Sequence, residues 1–232
     1  EVTIAPSVRL AGEWLGRAVE PRRPAAPIVA FGDPRLDRRL GLRRLPGAAA
    51  EARLAARFHP DGSTHLGADA TEAAFRQLDD RPAAIIHFAT HARTETTGML
   101  TSAIFLTPDG SNDGRLGPAD IAGRRLRTDL VVLTGCGTSG GALTFGEGIQ
   151  GLVAPFLEAG ARAVVATLWD VGDAAVIPTV RRFYESLATG TTAAAALRAA
   201  RLGAWRAGES PAVWAALTLT GDSRVIPLGG AR

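Results

Sequence analysis

Three nearly unbroken apolar runs, at 83–90, 130–134 and 163–169, constrain the fold of this 232-residue chain more than any other feature. Each is short, rich in Ala, Ile or Val, and bounded by glycine, proline or charged residues. That pattern marks strands buried on both faces rather than one-sided hairpins. Helical segments separate and follow them, at 117–122, 147–159, 173–187 and 192–207, the last capped by Thr191 or Thr192 and the one before it holding Pro178. Buried strands alternating with helices predict an α/β architecture, a mostly parallel central sheet with helices on both faces. Upstream, 27–31 reads as a strand ended by the turn Gly32-Asp33-Pro34, 34–46 as loop, 47–58 as a helix with Leu54 and Phe58 on one face, 64–66 as a short strand and 70–78 as a helix. Segment 99–107, closed by Pro108-Asp109-Gly110, reads as a small antiparallel excursion, and 213–220 as a final strand. Near the start, 7–19 reads as an amphipathic helix with Ser7 as N-cap, followed by a Pro- and Arg-rich connector at 20–27.

Composition removes several function classes. One cysteine excludes an internal disulfide and any cysteine-cluster metal site, so neither cofactor nor metal is expected. No run approaches the roughly 20 apolar residues of a membrane span, and no basic-then-apolar leader opens the chain. The expectation is a cytoplasmic protein with no membrane partner. All 26 basic residues are arginine, against 23 acidic residues, for a formal charge of +3. A pI near 10.2 therefore reflects the high pKa of arginine and the codon bias of a GC-rich, bacterial genome rather than an affinity for nucleic acid. Arginines concentrate between Arg17 and Arg57, a solvated face or a docking face for a neighbouring segment. No aromatic interleaving or binding motif accompanies them, and no nucleic-acid partner is expected. A dinucleotide- or nucleotide-binding reading fails too: no G-x-G-x-x-G follows the strong strands, and a chain without lysine has no Walker A lysine.

In open α/β sheets the working groups sit beyond the carboxyl ends of the strands. There the three strong strands run into His87-Phe88-Ala89-Thr90-His91-Ala92, Thr134-Gly135-Cys136-Gly137 and Leu168-Trp169-Asp170-Val171-Gly172-Asp173. Neighbouring parallel strands would bring His91 and Cys136 to one rim. A cysteine reacts as the thiolate, and an adjacent imidazole accepts its proton near neutral pH. The glycines around Cys136 allow a tight turn, and the amides of Ala92 and Cys136 would face a developing oxyanion. On the residues alone a second reading stays open, in which the lone cysteine is buried and inert. His87 lies inside its strand and reads as a satisfied core residue, while His59 and His65 carry no functional signal.

The ordered set of motifs resembles the CHAT domain, a caspase-like branch of the clan that also holds separases, metacaspases and caspases. It runs from Ala5-Pro6-Ser7 through Phe31-Gly32-Asp33-Pro34, Leu45-Pro46-Gly47 with Glu51, Ala70-Thr71, the His87–His91 segment and Val132-Leu133-Thr134-Gly135-Cys136. It continues through Gly146-Glu147-Gly148-Ile149-Gln150, the stretch from Glu158 to Val171, and Phe183-Tyr184-Glu185-Ser186-Leu187, and closes at Trp214 and Gly221-Asp222. The resemblance implies a caspase-like three-layer sandwich over 1–232 as a single domain. It also implies catalytic His91 and Cys136, with oxyanion donors at the amides of Ala92 and Cys136. The stretch after Leu168 is similar to a separase segment that helps line the pocket for the residue before the cut. Separases and metacaspases hold acid there for Arg or Lys, which nominates Asp173 and Asp170, with Trp169 as pocket wall or core. For Asp173 the simpler role is to cap the helix that follows, and Glu147 and Gln150 read as the start of the helix after the cysteine loop.

The resemblance implies a cysteine endopeptidase acting on protein substrates after a basic residue, regulated by a TPR or other sensor module. The alternative is a catalytically silent signalling or scaffold domain of the same fold. Three departures from the family pattern matter. Ala92 stands where members carry Gly, so its turn must avoid positive φ. Gly137 follows the cysteine where an acidic or polar residue is usual, and 137–146 reads as a loop ordered by substrate or activator. The family's first strand pair is missing, and residue 1 is Glu, so the expectation is a domain excised from a longer chain.

Overall fold

The computed structural model describes residues 26–93, 102–110, 112–134 and 150–229, together with Gly12 and Gly16, both helical. The rest of the expected helix at 7–19 lies outside the described residues, as do the cysteine loop and Glu147.

The central sheet is built from β1 (Ile28–Gly32), β2 (Ser63–Leu66), β3 (Ala83–Ala89), β7 (Thr128–Leu133), β8 (Ala163–Thr167) and β9 (Leu217–Gly221), in the order β2-β1-β3-β7-β8-β9. Every neighbouring pair is parallel except β8 with β9. The strong strands are wholly buried, and alternate residues supply two separate cores. Ile28, Ala30, Ile85, Leu130, Val132 and Val165 face a layer made by helices α1 (Pro46–Ala56), α5 (Asp173–Ala188) and α6 (Ala193–Arg206). Val29, Phe31, Ile86, Phe88, Val131 and Val164 face α2 (Glu72–Arg76) and α4 (Gln150–Glu158). The period of two along each strand thus yields the three-layer sandwich.

Two local features decide how closely the layers approach. A Cβ on Gly32 would lie 2.7 Å from the Ala48 carbonyl oxygen and 2.8 Å from the Ala52 Cβ, so glycine at the end of β1 lets α1 settle onto the sheet. Pro46 occupies the first turn of α1, where a missing N–H costs nothing. On the other face, β4 (Ala92–Arg93), β5 (Ala103–Phe105) and β6 (Arg115–Leu116) form the antiparallel excursion expected from the sequence. α3 (Pro118–Ala122) follows it.

The final strand differs from expectation. Residues 211–214 form a helical turn, α7 (Pro211–Trp214), and β9 begins only at Leu217. The reason is local: the Ser210 hydroxyl accepts from the Ala212 amide at 3.3 Å and Pro211 pre-sets φ for the first turn. In the sequence, the apolar run over Val213 to Ala216 competes with that Ser-Pro start signal. Within the loop at 34–46, Arg38–Leu40 forms a 3-10 turn started by Asp37, whose carboxylate accepts from the Arg39 amide at 2.9 Å.

Candidate active site at the carboxyl edge of the sheet

Register places the motif-bearing segments in one row. Phe31 pairs with Phe88, Phe88 with Leu133 and Leu133 with Ala166, across four parallel strands. His91 lies three residues beyond Phe88, and Trp169 three beyond Ala166; in the sequence Cys136 lies three beyond Leu133. Cys136 itself, with its amide, is outside the described residues.

His91 follows β3 directly and is 4% exposed. Its Nε2 lies 2.5 Å from the backbone carbonyl oxygen of Arg43. A carbonyl only accepts, so Nε2 carries the proton and Nδ1 of the neutral ring holds the lone pair. The next residue toward α1, Arg44, forks onto Asp33: its Nε donates to Oδ1 at 3.3 Å and a terminal nitrogen donates to Oδ2. That pairing raises the Arg44 pKa, through the hydrogen bond from its guanidinium and the carboxylate charge. Asp33 ends β1 in the left-handed region at φ 45°, and its amide donates to the Ala89 carbonyl at 3.4 Å. The loop that carries the Arg43 carbonyl is therefore tied to the β1 end, and β1 to β3. Thr90 secures the other side of His91, its hydroxyl donating to the Phe105 carbonyl.

Ala92 opens β4 opposite Ile104, and the adjacent Phe105 amide donates to the His91 carbonyl at 2.8 Å. In an antiparallel ladder this makes Ala92–Ile104 a non-hydrogen-bonded pair and directs the Ala92 amide away from β5. Ala92 is not among the described residues with positive φ, so the alanine that replaces the family's glycine meets no steric penalty.

After β8, the Trp169 indole Nε1 donates to the Ala212 carbonyl at 2.7 Å, and its half-buried ring packs on the α1–α5–α6 core. Asp170 is exposed. Asp173 is the first residue of α5, one position inside the N-cap, which is Gly172. Among the described residues, no group of three or more His, Cys, Asp and Glu has the geometry of a metal site, and no helix is long and apolar enough to cross a membrane.

Behind the two strand ends lies a polar network that the sequence did not reveal. Glu51 on α1 is buried, its Oε1 accepts from the Thr134 hydroxyl at 2.5 Å and lies 3.2 Å from His87 Nε2. The Tyr184 hydroxyl lies 3.1 Å from His87 Nδ1. Burial, joined by the negative charge of Glu51, pushes the Tyr184 phenol well above its ordinary pKa, so it remains a donor to Nδ1. His87 is thus a fully buried core residue, as its place inside the strand suggested, with a hydrogen bond at Nδ1 and none of good geometry at Nε2 among the described residues. The signal available in the sequence was an acidic residue on the apolar face of α1, which a helix interior tolerates only with partners.

Comparison with known proteins agrees with this architecture. The CHAT domain profile matches residues 1–222. Tetratricopeptide repeat protein 28 of Mus musculus is 38% identical over 106 residues, which is 45% of this chain and 4% of that protein. Its Homo sapiens counterpart is 36% identical over 106 residues, with the same coverage. The chain thus matches only a small part of these curated relatives. Among solved structures, the complex of the Porphyromonas gingivalis RgpB pro- and mature domains superposes with a TM-score of 0.53 at 9% identity, covering 86% of this chain and 48% of that one. The Arg-specific cysteine proteinase gingipain R gives 0.50 at 10% identity, covering 85% and 46%. At such identities the likeness is one of fold. With the family profile spanning nearly the whole length, the chain belongs to the CHAT domain family, with the α/β architecture of caspase-like peptidases.

Proposed function

We propose that this chain is the catalytic domain of a cysteine endopeptidase that uses a Cys136–His91 dyad and cuts after a basic residue. The observation that carries the reading is the shared row. His91 and Cys136 stand equally far beyond residues paired on adjacent parallel strands, Phe88 and Leu133. The His91 tautomer supports it, because a proton fixed on Nε2 leaves Nδ1 as the base. The outward Ala92 amide supports an oxyanion role, and the structurally similar gingipain R is an Arg-specific cysteine proteinase. The tetratricopeptide repeat name of the curated relatives supports a repeat module as the regulator in the full-length protein.

The reaction runs in two halves. His91 Nδ1 takes the proton of the Cys136 thiol, and the thiolate attacks the peptide carbonyl carbon. The oxygen becomes an oxyanion held by the amides of Ala92 and Cys136. The C–N bond breaks as the imidazolium returns its proton to the leaving amine. Water, losing a proton to His91, then attacks the thioester, and the C–S bond breaks to release the acid and the thiol. Asp173 and Asp170 supply the carboxylate that selects Arg or Lys, with Trp169 as pocket wall.

The test is hydrolysis of peptides carrying Arg, Lys or Asp before the cut, by wild type, Cys136→Ala and His91→Ala. The expected result is cleavage after Arg and Lys, lost by at least about a thousandfold in either variant. Equal turnover by wild type and Cys136→Ala removes the peptidase reading. Preference for Asp over Arg removes the pocket assignment.

A further inference from the structure

Four buried polar side chains sit behind the carboxyl ends of β3 and β7, and the reaction above uses none of them: Glu51, His87, Tyr184 and Thr134. A carboxylate in an apolar interior is costly, and an apolar replacement is often as stable, so stability alone does not account for Glu51. Its partners show what it holds. One hydroxyl donates to it directly, that of Thr134. Tyr184 donates to His87 Nδ1, which leaves the His87 proton on Nε2, facing Glu51 Oε1 at 3.2 Å. That last contact is poorly aligned, because His87 Nε2 has no hydrogen-bond partner of good geometry among the described residues. The well-formed bond is the one from the Thr134 hydroxyl, at 2.5 Å. Thr134 is the first residue after β7, where the sequence passes into Gly135-Cys136. Its amide already donates to the Phe88 carbonyl at 3.2 Å, so the hydroxyl adds a tie from the strand end to α1. The segment leading into α1 meets the other strand end as well, through the Arg43 carbonyl on His91.

We propose that Glu51 is a positioning residue that holds the end of β7 through the Thr134 hydroxyl and thereby sets the reactivity of Cys136. The proposal rests on the reading of Cys136 as nucleophile. One segment, from Arg43 to Glu51, then orients the base directly and the nucleophile's strand at second hand. A fixed strand end matters because a displacement of about 1 Å at a reacting atom costs on the order of a hundredfold in rate.

The chain has a single cysteine, so iodoacetamide labelling of the native protein reads Cys136 alone. Thr134→Val removes the hydroxyl at constant shape, and Thr134→Ser keeps it. Glu51→Asp keeps the charge but shortens its reach, and it carries the test if the valine variant does not fold. Near-UV circular dichroism and Tm confirm the native state of each. The expected result is about fivefold slower labelling at neutral pH, and kcat about tenfold lower with KM within twofold, in Thr134→Val and in Glu51→Asp. Thr134→Ser recovers both readouts, and the double variant Thr134→Val/Glu51→Asp loses no more than the worse single one. Folded Thr134→Val and Glu51→Asp proteins that label and turn over within twofold of wild type overturn the proposal. So does a Thr134→Ser variant as impaired as Thr134→Val. If Cys136→Ala cleaves as fast as wild type, the peptidase reading fails by itself. The labelling rates alone then decide: slowed in valine and recovered in serine supports positioning, and unchanged in valine overturns it.

Discussion

At the scale of single residues, the site depends on side chains whose backbone conformation or burial is unusual for their type. Asp33 is the clearest case, a non-glycine residue at φ 45° that ends β1 and forks with Arg44. Aspartate tolerates the left-handed region and a β-branched residue does not. Asp33→Val is expected to lower unfolding stability by about 1–2 kcal/mol on backbone grounds. Asp33→Asn keeps the conformational preference and loses only a pair with an exposed arginine, and its effect on stability should stay under about 1 kcal/mol. Urea midpoints of the two variants check the ordering; an asparagine variant as unstable as the valine one contradicts it. His91, Cys136 and the glycines around Cys136 stand out as candidates in the sequence because nucleophile and base chemistry uses few residue types. Arg43 was not, since it acts through its carbonyl, which every residue has. The tie between Asp33 and Arg44 was not legible either, because it joins residues on either side of a loop.

At the scale of elements, α1 connects fold and site. It lies on β1 where Gly32 leaves room, carries Glu51 into the interior and begins just after the Arg43 carbonyl. Gly32→Val would drive its side chain into the Ala48 carbonyl and the Ala52 methyl. The expected cost is about 1–3 kcal/mol of stability. A thermal melt measures that cost, and peptide turnover by the fraction still folded should fall as well, because α1 cannot shift without moving both strand ends. Retention of wild-type Tm and turnover would show that α1 is free to adjust. The sheet strands and the long helices were readable from apolar period and end signals. The misread element, α7, shows the limit: its Ser-Pro start competes with an apolar run, and only the packing of β9 against β8 decides where the strand begins.

At the scale of the whole molecule, the edge of the sheet away from the site is tied together by charge. Arg162 contacts Asp129 at the start of β7 and Asp222 just after β9, both at 3.3 Å, and Arg224 closes on Asp222 at 2.9 Å. Burial raises the Asp222 pKa, but hydrogen bonds from Arg224 and the charges of Arg224 and Arg162 outweigh it, and the net direction is down from 3.8. The folded state therefore holds this proton less tightly than the unfolded chain. The stabilisation is complete above the unfolded value and is lost as pH falls from about 3.8 through the lower folded value. Asp222→Asn should cost about 1–3 kcal/mol at neutral pH and flatten the loss of stability at the acid end. Urea unfolding at a series of pH values tests this, and an acid limb as steep as that of wild type would contradict it.

By itself the sequence determined the period of two in the strands, the helices between them, and which residue types follow each strand end. Those are local properties, set by side-chain shape, polarity and backbone preference over a few positions. Only the tertiary structure decided that Phe31, Phe88, Leu133 and Ala166 share one row, that a loop carbonyl fixes the His91 tautomer, and that Glu51 reaches Thr134 across 83 positions. Such contacts depend on strand register and helix docking, which are decided by burying two apolar faces at once and leave no periodic trace in the chain.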